Sequence, residues 1–277
     1  MFHVYSNVEE SPMNVSKTDK LIAEKEGAIG WITFNNPARH NAVSMAMWEA
    51  LSDVAQDYAA DPAIRVVVVK GAGDKAFISG ADISEFKERR SSPETVAAYN
   101  QVAGKANDDL YQLGKPTIAM IRGYCFGGGV GLAVACDLRI AAQDAVFSVP
   151  AAKLGLGYDA KGVRKLADVV GPSFTKEIFY TARHFSAAEA LAMGLVNRLI
   201  PDAQLEQYVR DYAQMIAGNA PLTVGSIKTI VNELLKDESK RDMELCRQAV
   251  DRCFKSEDYI EGRTAFMEKR APRFNGR

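Results

Sequence analysis

Over the first 150 residues, apolar positions fall in short runs, some alternating with polar residues and some continuous. Leu21 to Glu26 and Ile29 to Asn35 flank a turn at Glu26-Gly27 and predict a strand hairpin, which Asn36-Pro37 ends. Beyond Ser44, an N-cap residue, Met47, Trp48, Leu51, Val54, Ala55 and Tyr58 recur on or near one helical face; the helix runs to about Ala60, where Asp61-Pro62 stops it. Ile64 to Lys70, IRVVVVK, is a near-continuous β-branched run, the pattern of a strand covered on both faces. A glycine-rich connection, GAGDKAFISGADI, follows, and then a helix from about Pro93 to Leu113. Pro116 introduces another strand, Thr117 to Ile121. Three consecutive glycines, Gly127, Gly128 and Gly129, then open an apolar run, Val130 to Cys136, long enough for a short buried helix. Arg139 to Ala142 and Val146 to Val149 are further short strands.

From Lys161 the period becomes helical. Helices are expected near 161–170, 172–181, 187–193, 203–218, 221–236, 239–254 and 256–269. Gly194 and Gly218 suit C-terminal caps, while Pro172, Pro201 and Pro221 suit helix starts or punctuation. Residues 1–17 are polar and aperiodic, broken by Ser11-Pro12, and read as an N-terminal extension of weak intrinsic order. The class is therefore α/β: strands with intervening helices to about residue 150, then a helical region.

Bulk properties narrow the function by exclusion. The formal net charge is −1, so bulk electrostatics gives no reason to expect a nucleic-acid partner. No run approaches the length of a membrane span, and the N-terminus lacks a basic segment followed by an apolar core, so neither a membrane partner nor a secretory signal is expected. Cys125, Cys136, Cys246 and Cys253 form no CxxC pair and have no histidine cluster beside them. They read as buried reduced thiols in a cytoplasmic protein rather than as a metal site.

Two glycine-rich turns carry the candidate chemistry. Gly71-Ala72-Gly73 after a strand is a weak match to a dinucleotide fingerprint, because the chain continues Phe77-Ile78-Ser79-Gly80 rather than entering a long helix. In Ser79-Gly80-Ala81-Asp82-Ile83, a small-residue turn running into a short helix exposes the Ala81 N–H, with Asp82 as a turn or helix-start residue. The triple glycine reads either as a helix start offering N–H groups to an anion or polarised oxygen, or as a device for close packing. No serine or cysteine is suitably paired with His3, His40 or His184, which leaves a nucleophilic triad without support.

The blocks AFISGADI, GYCFGGGVGLAVACDLRIA, FSVPAAKLGLG, AAEALAMGLVNRLI and AFMEKR resemble, in that order, the crotonase (enoyl-CoA hydratase/isomerase) superfamily over about residues 18–275. The resemblance implies a spiral of ββα units over 18–200, then a helical trimerisation region over 201–277. It implies an acyl-CoA substrate, with coenzyme A as part of that substrate and no separate cofactor, and a homotrimer or dimer of trimers. It also implies that the thioester oxygen sits between the N–H groups of Ala81 and Gly128 and that the chemistry passes through an enolate. Ser79, Gly80, Asp82, Ile83 and Gly127 belong to the same matched turns and are expected to bind substrate. Arg39 is expected to approach the CoA phosphates. Phe266 and Lys269 match residues that contact the adenine and a phosphate, commonly from a neighbouring subunit; a solvated helix end is the competing reading of Lys269.

The departures from that pattern matter as much. Hydratases of the family carry a glutamate two residues after the triple glycine and a second after the Phe-x-x-Pro strand; here those positions are Gly131 and Ala151. Neither can activate water. Tyr158 and Asp159, just downstream, are the remaining candidates. GLGYDAKGVRKL and KSEDYIEGRTAFMEKRAPRF resemble a methylmalonyl-CoA decarboxylase-like branch, in which Tyr158 matches an active-site tyrosine, although that branch has a histidine where this chain has Ala81. Asp159 matches the acid of an isomerase branch. The bland readings are packing for Tyr158 and an N-cap for Asp159. The expectation is isomerase-like proton transfer by Asp159 in preference to hydration. Decarboxylation using Tyr158 is the alternative, and a catalytically weak CoA-binding scaffold is the alternative of another class.

Overall fold

The computed structural model describes residues 16–82 and 93–277. Its main sheet has six strands in the order β1-β2-β3-β5-β7-β10. The hairpin forms as β1 (Leu21–Glu26) and β2 (Ile29–Phe34), paired antiparallel from Leu21↔Phe34 to Glu26↔Ile29. All other neighbours in this sheet are parallel: β3 (Val66–Gly71), β5 (Thr117–Ile121), β7 (Leu138–Ala142) and β10 (Arg198–Ile200). A second sheet of four short strands runs β4 (Ala76–Ile78), β6 (Tyr124–Phe126), β8 (Val146–Ser148) and β9 (Phe185–Ser186). Its first three strands are parallel and β9 is antiparallel to β8.

Successive side chains of a strand face opposite ways, so a valine run in a central strand needs cover on both sides. Val67 and Val69 face a core built with Met47, Trp48, Leu51 and Val54 of α1 (Met45–Ala60) and with Ala106 and Leu110 of α2 (Pro93–Tyr111). Val66 and Val68 face a second core closed by Leu205, Val209, Ala213 and Ala217 of α7 (Asp202–Ala217). Between these lie α3 (Gly128–Ala135), α4 (Ala151–Leu154), α5 (Ala160–Thr181) and α6 (Ala187–Ala192). The helices expected at 161–170 and 172–181 run on as α5, but Gly171, at φ 75°, breaks the helical backbone just before Pro172.

The expectation of helix alone after residue 150 needs correction. The short strands β9 and β10 both lie beyond it, and β10 extends the main sheet by pairing with β7. The chain then ends in α8 (Pro221–Leu234), α9 (Met243–Phe254) and α10 (Glu257–Glu268). Lys228 of α8 is tied to the main sheet: its Nζ donates to Lys115 O at 2.9 Å and to Asp137 Oδ2 at 2.8 Å, and that carboxylate also accepts the Thr117 N–H. These last helices leave large apolar side chains exposed, among them Ile227, Phe254, Ile260, Phe266 and Met267. Among the described residues, no helix is long and apolar enough to cross a membrane. Cys125 and Cys136 are buried free thiols, and burial pushes Cys136 up to about 12.

Candidate active site

The small sheet brings the two glycine-rich turns together. Strands β4 and β6 are parallel neighbours, with Ile78 opposite Cys125, so the chain leaves both at the same sheet edge. The segments beyond them, 79–82 and 127–128, therefore emerge side by side, at the C-terminal ends of parallel strands where ligand sites concentrate. Gly129 fixes how close they come. A Cβ there would stand 3.0 Å from Ile78 Cβ and nearer still to the Ile78 carbonyl oxygen, so only glycine lets the helix start lie against the strand end. Of the triple glycine, Gly129 is the packing device and Gly128 is the start of the helix.

The direction of the Ala81 N–H follows from its bridge. Val43 N donates to Gly80 O at 2.9 Å, and Asp82 N donates to Val43 O at 3.0 Å, which makes a parallel bridge between Val43 and Ala81. In such a bridge the residue between the two bonds turns its own N–H and C=O to the other side. The Ala81 N–H thus points away from Val43, and no described residue accepts it. Gly127, at φ 52°, is the N-cap of α3, and its N–H donates to Ser148 O at 2.8 Å. Gly128 is the first helical residue, so its N–H has no intrahelical acceptor. Among the described residues, two backbone donors are therefore left unspent, one from each turn.

The supporting loop escaped the sequence reading. Asn41 is fully buried, and its side-chain nitrogen donates to Ala72 O and Ala76 O at 2.9 and 2.7 Å. Its side-chain oxygen accepts the Asn36 N–H, while Asn36 Nδ2 donates to Ala42 O, both at 3.0 Å. This clamp holds residues 36–43, which in turn bind the 79–82 turn: Ser79 N donates to His40 O, and Val43 forms the bridge to Ala81. The available signal was a pair of asparagines around Pro37; asparagine is among the few side-chain-bearing residues that tolerate the left-handed backbone that Asn41 adopts at φ 53°.

The other expected site residues divide. Asp82 is buried and pairs with Arg39 at 3.4 Å; the Arg39 side chain remains more than half exposed beside the turn. Ser79 Oγ donates to Arg39 O at 3.3 Å, and Gly80 holds φ 118°. Ile83 lies outside the described residues. Tyr158 reaches the glycine turn, since its hydroxyl is 3.7 Å from where a Cβ on Gly127 would be, and its ring packs edge-on against Phe179. Asp159 is the N-cap of α5: Oδ1 accepts the Gly162 N–H at 2.8 Å, and the backbone there is extended, so neighbouring side chains diverge. The positions of the missing carboxylates differ in room. A Cβ on Gly131 would meet nothing within 4 Å, whereas Ala151 is buried. Phe266 and Lys269 are at the end of α10, which packs on α9, and within the single chain neither bonds to the two turns among the described residues.

The family model for enoyl-CoA hydratase/isomerase matches residues 24–277. A short-chain-enoyl-CoA hydratase of Clostridium acetobutylicum is 33% identical over 252 residues, covering 91% of this chain and 96% of that protein. A carnitinyl-CoA dehydratase of Escherichia coli strain K12 is 34% identical over 264 residues, covering 94% and 100%. The crystal structure of an enoyl-CoA hydratase/carnithine racemase from Magnetospirillum magneticum superposes with a TM-score of 0.88 at 35% identity, covering 96% of this chain and 99% of that one. The match spans both donor turns, their supporting loop and the C-terminal helices, and the chain belongs to the enoyl-CoA hydratase/isomerase family of enzymes.

Proposed function

We propose that this enzyme binds an acyl-CoA thioester, polarises its carbonyl oxygen between the Ala81 and Gly128 N–H groups, and moves a proton on the resulting enolate rather than adding water. The observation that carries the reading is the pair of unspent backbone donors facing a site without carboxylates at 131 and 151. Donors fixed before the reaction stabilise charge as it develops on the oxygen, and each contributes about 3 kcal/mol to the transition state. Hydration needs a group to take a proton from water, which Gly131 and Ala151 lack.

Asp159 is the proposed carrier of a proton between C2 and C4 of an enoyl-CoA, the transfer that double-bond migration requires. Its cap bond pins one carboxylate oxygen, and Oδ2 has no hydrogen-bond partner among the described residues, which leaves it able to exchange a proton. Asp159→Asn keeps an N-cap residue and removes the base. The expected result is isomerisation of a 3-enoyl-CoA by the wild type, exceeding its hydration of crotonyl-CoA, and a loss of at least about 100-fold in the variant. An unchanged rate in Asp159→Asn removes Asp159 from the mechanism.

A second reading, decarboxylation, is favoured by the placement of the Tyr158 hydroxyl, 3.7 Å from where a Cβ on Gly127 would be. There the hydroxyl would orient a substrate carboxylate beside the thioester. Carbon dioxide release from methylmalonyl-CoA, lost in Tyr158→Phe, supports it; no release by the wild type ends it. Coenzyme A binding without turnover of any of the three substrates would make the protein a scaffold. The exposed apolar side chains of α8 to α10 support self-association as a trimer, with Phe266 and Lys269 reaching the CoA of a neighbour. A monomeric mass in solution would refute that assembly.

A further inference from the structure

We propose that Trp48 and Tyr99 are positioning residues that hold the two backbone donors in register with each other. The inference rests on Ala81 and Gly128 being the donors to the thioester oxygen. The pair is buried, with Trp48 on α1 3% exposed and Tyr99 on α2 5% exposed. The Trp48 indole N–H donates to the Tyr99 hydroxyl at 2.9 Å, and that hydroxyl donates to Val43 O at 3.3 Å. An indole nitrogen donates only, so the hydroxyl accepts from Trp48 and its own proton is left for the carbonyl.

Val43 O is the atom on which the Ala81 turn depends, because it also accepts the Asp82 N–H at 3.0 Å. Tyr99 therefore bonds to the carbonyl that orients one donor. The other end of the pair reaches the second donor: a Cβ on Gly128 would stand 3.8 Å from Trp48 Cζ2, so the indole lies directly beside the helix start. Phe34 meets the indole edge-on, with ring centroids 6.4 Å apart, and limits its rotation. A thread thus runs from Gly128 through the indole, the phenol and the Val43 carbonyl to Ala81. The two turns come from different strands, and their spacing sets whether both N–H groups reach one oxygen. A buried pair that bonds to the frame of one half and lies beside the other controls that spacing without touching the substrate.

The test uses 4-(dimethylamino)cinnamoyl-CoA, whose absorbance moves to longer wavelength when hydrogen bonds polarise its thioester carbonyl. Tyr99→Phe removes the hydroxyl, and Trp48→Phe removes the indole donor while keeping a ring. Tyr58→Phe is the control: it deletes another buried hydroxyl, one that shares its single proton between Glu24 O and Trp31 O, remote from the turns. The expected result is a red shift in the wild type and in Tyr58→Phe, and about half that shift or less in Tyr99→Phe and Trp48→Phe. Turnover should fall about tenfold in these two with KM nearly unchanged, because misplacing a donor affects the transition state more than binding. Melting temperatures of all three variants separate this outcome from general loosening. A full red shift in Tyr99→Phe, alongside destabilisation like that of Tyr58→Phe, would overturn the proposal and leave the donor pair standing. Absence of any shift in wild type with bound probe would instead overturn the donor pair itself.

Discussion

Gly129 and Gly131 sit two residues apart in α3, and methylating each should have opposite effects. At Gly129 the new Cβ would lie 3.0 Å from Ile78 Cβ and closer to the Ile78 carbonyl oxygen. Carbon atoms in favourable contact stand about 3.5–4.0 Å apart, so the end of β4 and the start of α3 must part by about 1 Å. Overpacking of this kind costs roughly 1–3 kcal/mol. It also pulls Gly128 away from Ala81, and a displacement of about 1 Å in a catalytic arrangement is worth roughly 100-fold in rate. At Gly131 the new Cβ would meet nothing within 4 Å, so alanine there recovers the backbone entropy that glycine forfeits in a helix, about 1 kcal/mol. Thermal denaturation should therefore show Gly129→Ala melting below the wild type and Gly131→Ala melting about 2 °C above it. Turnover of the best acyl-CoA substrate should collapse in the first variant and persist in the second. A Gly129→Ala protein with wild-type stability and activity would refute the close approach of β4 and α3, and with it the convergence of the two donors.

Three further outcomes test the site and its frame. Gly128→Pro should lower kcat roughly 100- to 1000-fold with little loss of stability, because proline suits the first helical position while lacking the N–H; steady-state kinetics alongside a melting curve reads both. Gly131→Glu should fold, since its position is open, whereas Ala151→Glu must displace packed neighbours; crotonyl-CoA hydration measured in the double variant against the two singles tests whether both carboxylates are needed to restore water addition. Glu189, whose carboxylate accepts the Ser186 N–H, Arg183 and the Ser186 hydroxyl, is held down to about 2 from an ordinary 4.5. Because the folded value is the lower one, its stabilising contribution is complete above 4.5 and disappears as pH falls through about 2; Glu189→Gln should flatten the dependence of melting temperature on pH in that window.

What could be read from the chain was what local chemistry determines. Within IRVVVVK, Val66 to Val69 announce a strand buried on both faces because nothing polar interrupts them, and Ser44 announces a helix because its side chain takes the Met47 N–H. Gly171 before Pro172 marks a break inside α5 for the same local reason. Strands β4 and β6 could not be read in this way. At three residues each they are too short to show a period, and their pairing joins Ile78 to Cys125 across an intervening helix and strand. Strand β10 was missed for the same reason. The two turns stood out individually, but their side-by-side placement depends on that unread pairing and on a clearance at Gly129 that no spacing reveals. The clamp made by Asn36 and Asn41 was hidden because a buried asparagine in a loop looks like any turn residue until its acceptors are known.

The two halves of the proposed chemistry differ in how they are encoded. The donors are backbone groups. They persist as long as Val43 bridges Ala81 and Gly127 keeps its left-handed turn, so the requirement falls on packing and not on any titratable side chain. Proton transfer needs an acid or base, and each of those is one replaceable residue. Under the proposed chemistry, glycine at 131 and alanine at 151 would change which reaction is open while leaving the polarised carbonyl untouched. A chain can therefore lose water activation without losing enolate stabilisation, and the determinant of reaction type has to be sought in side chains entering from the third parallel strand of the small sheet. That strand, β8, leads through α4 into Tyr158 and Asp159, one against the glycine turn and the other fixed at the start of α5. The assignment of the proposed reaction turns on those two residues, because in that proposal the glycines specify only which bond is polarised.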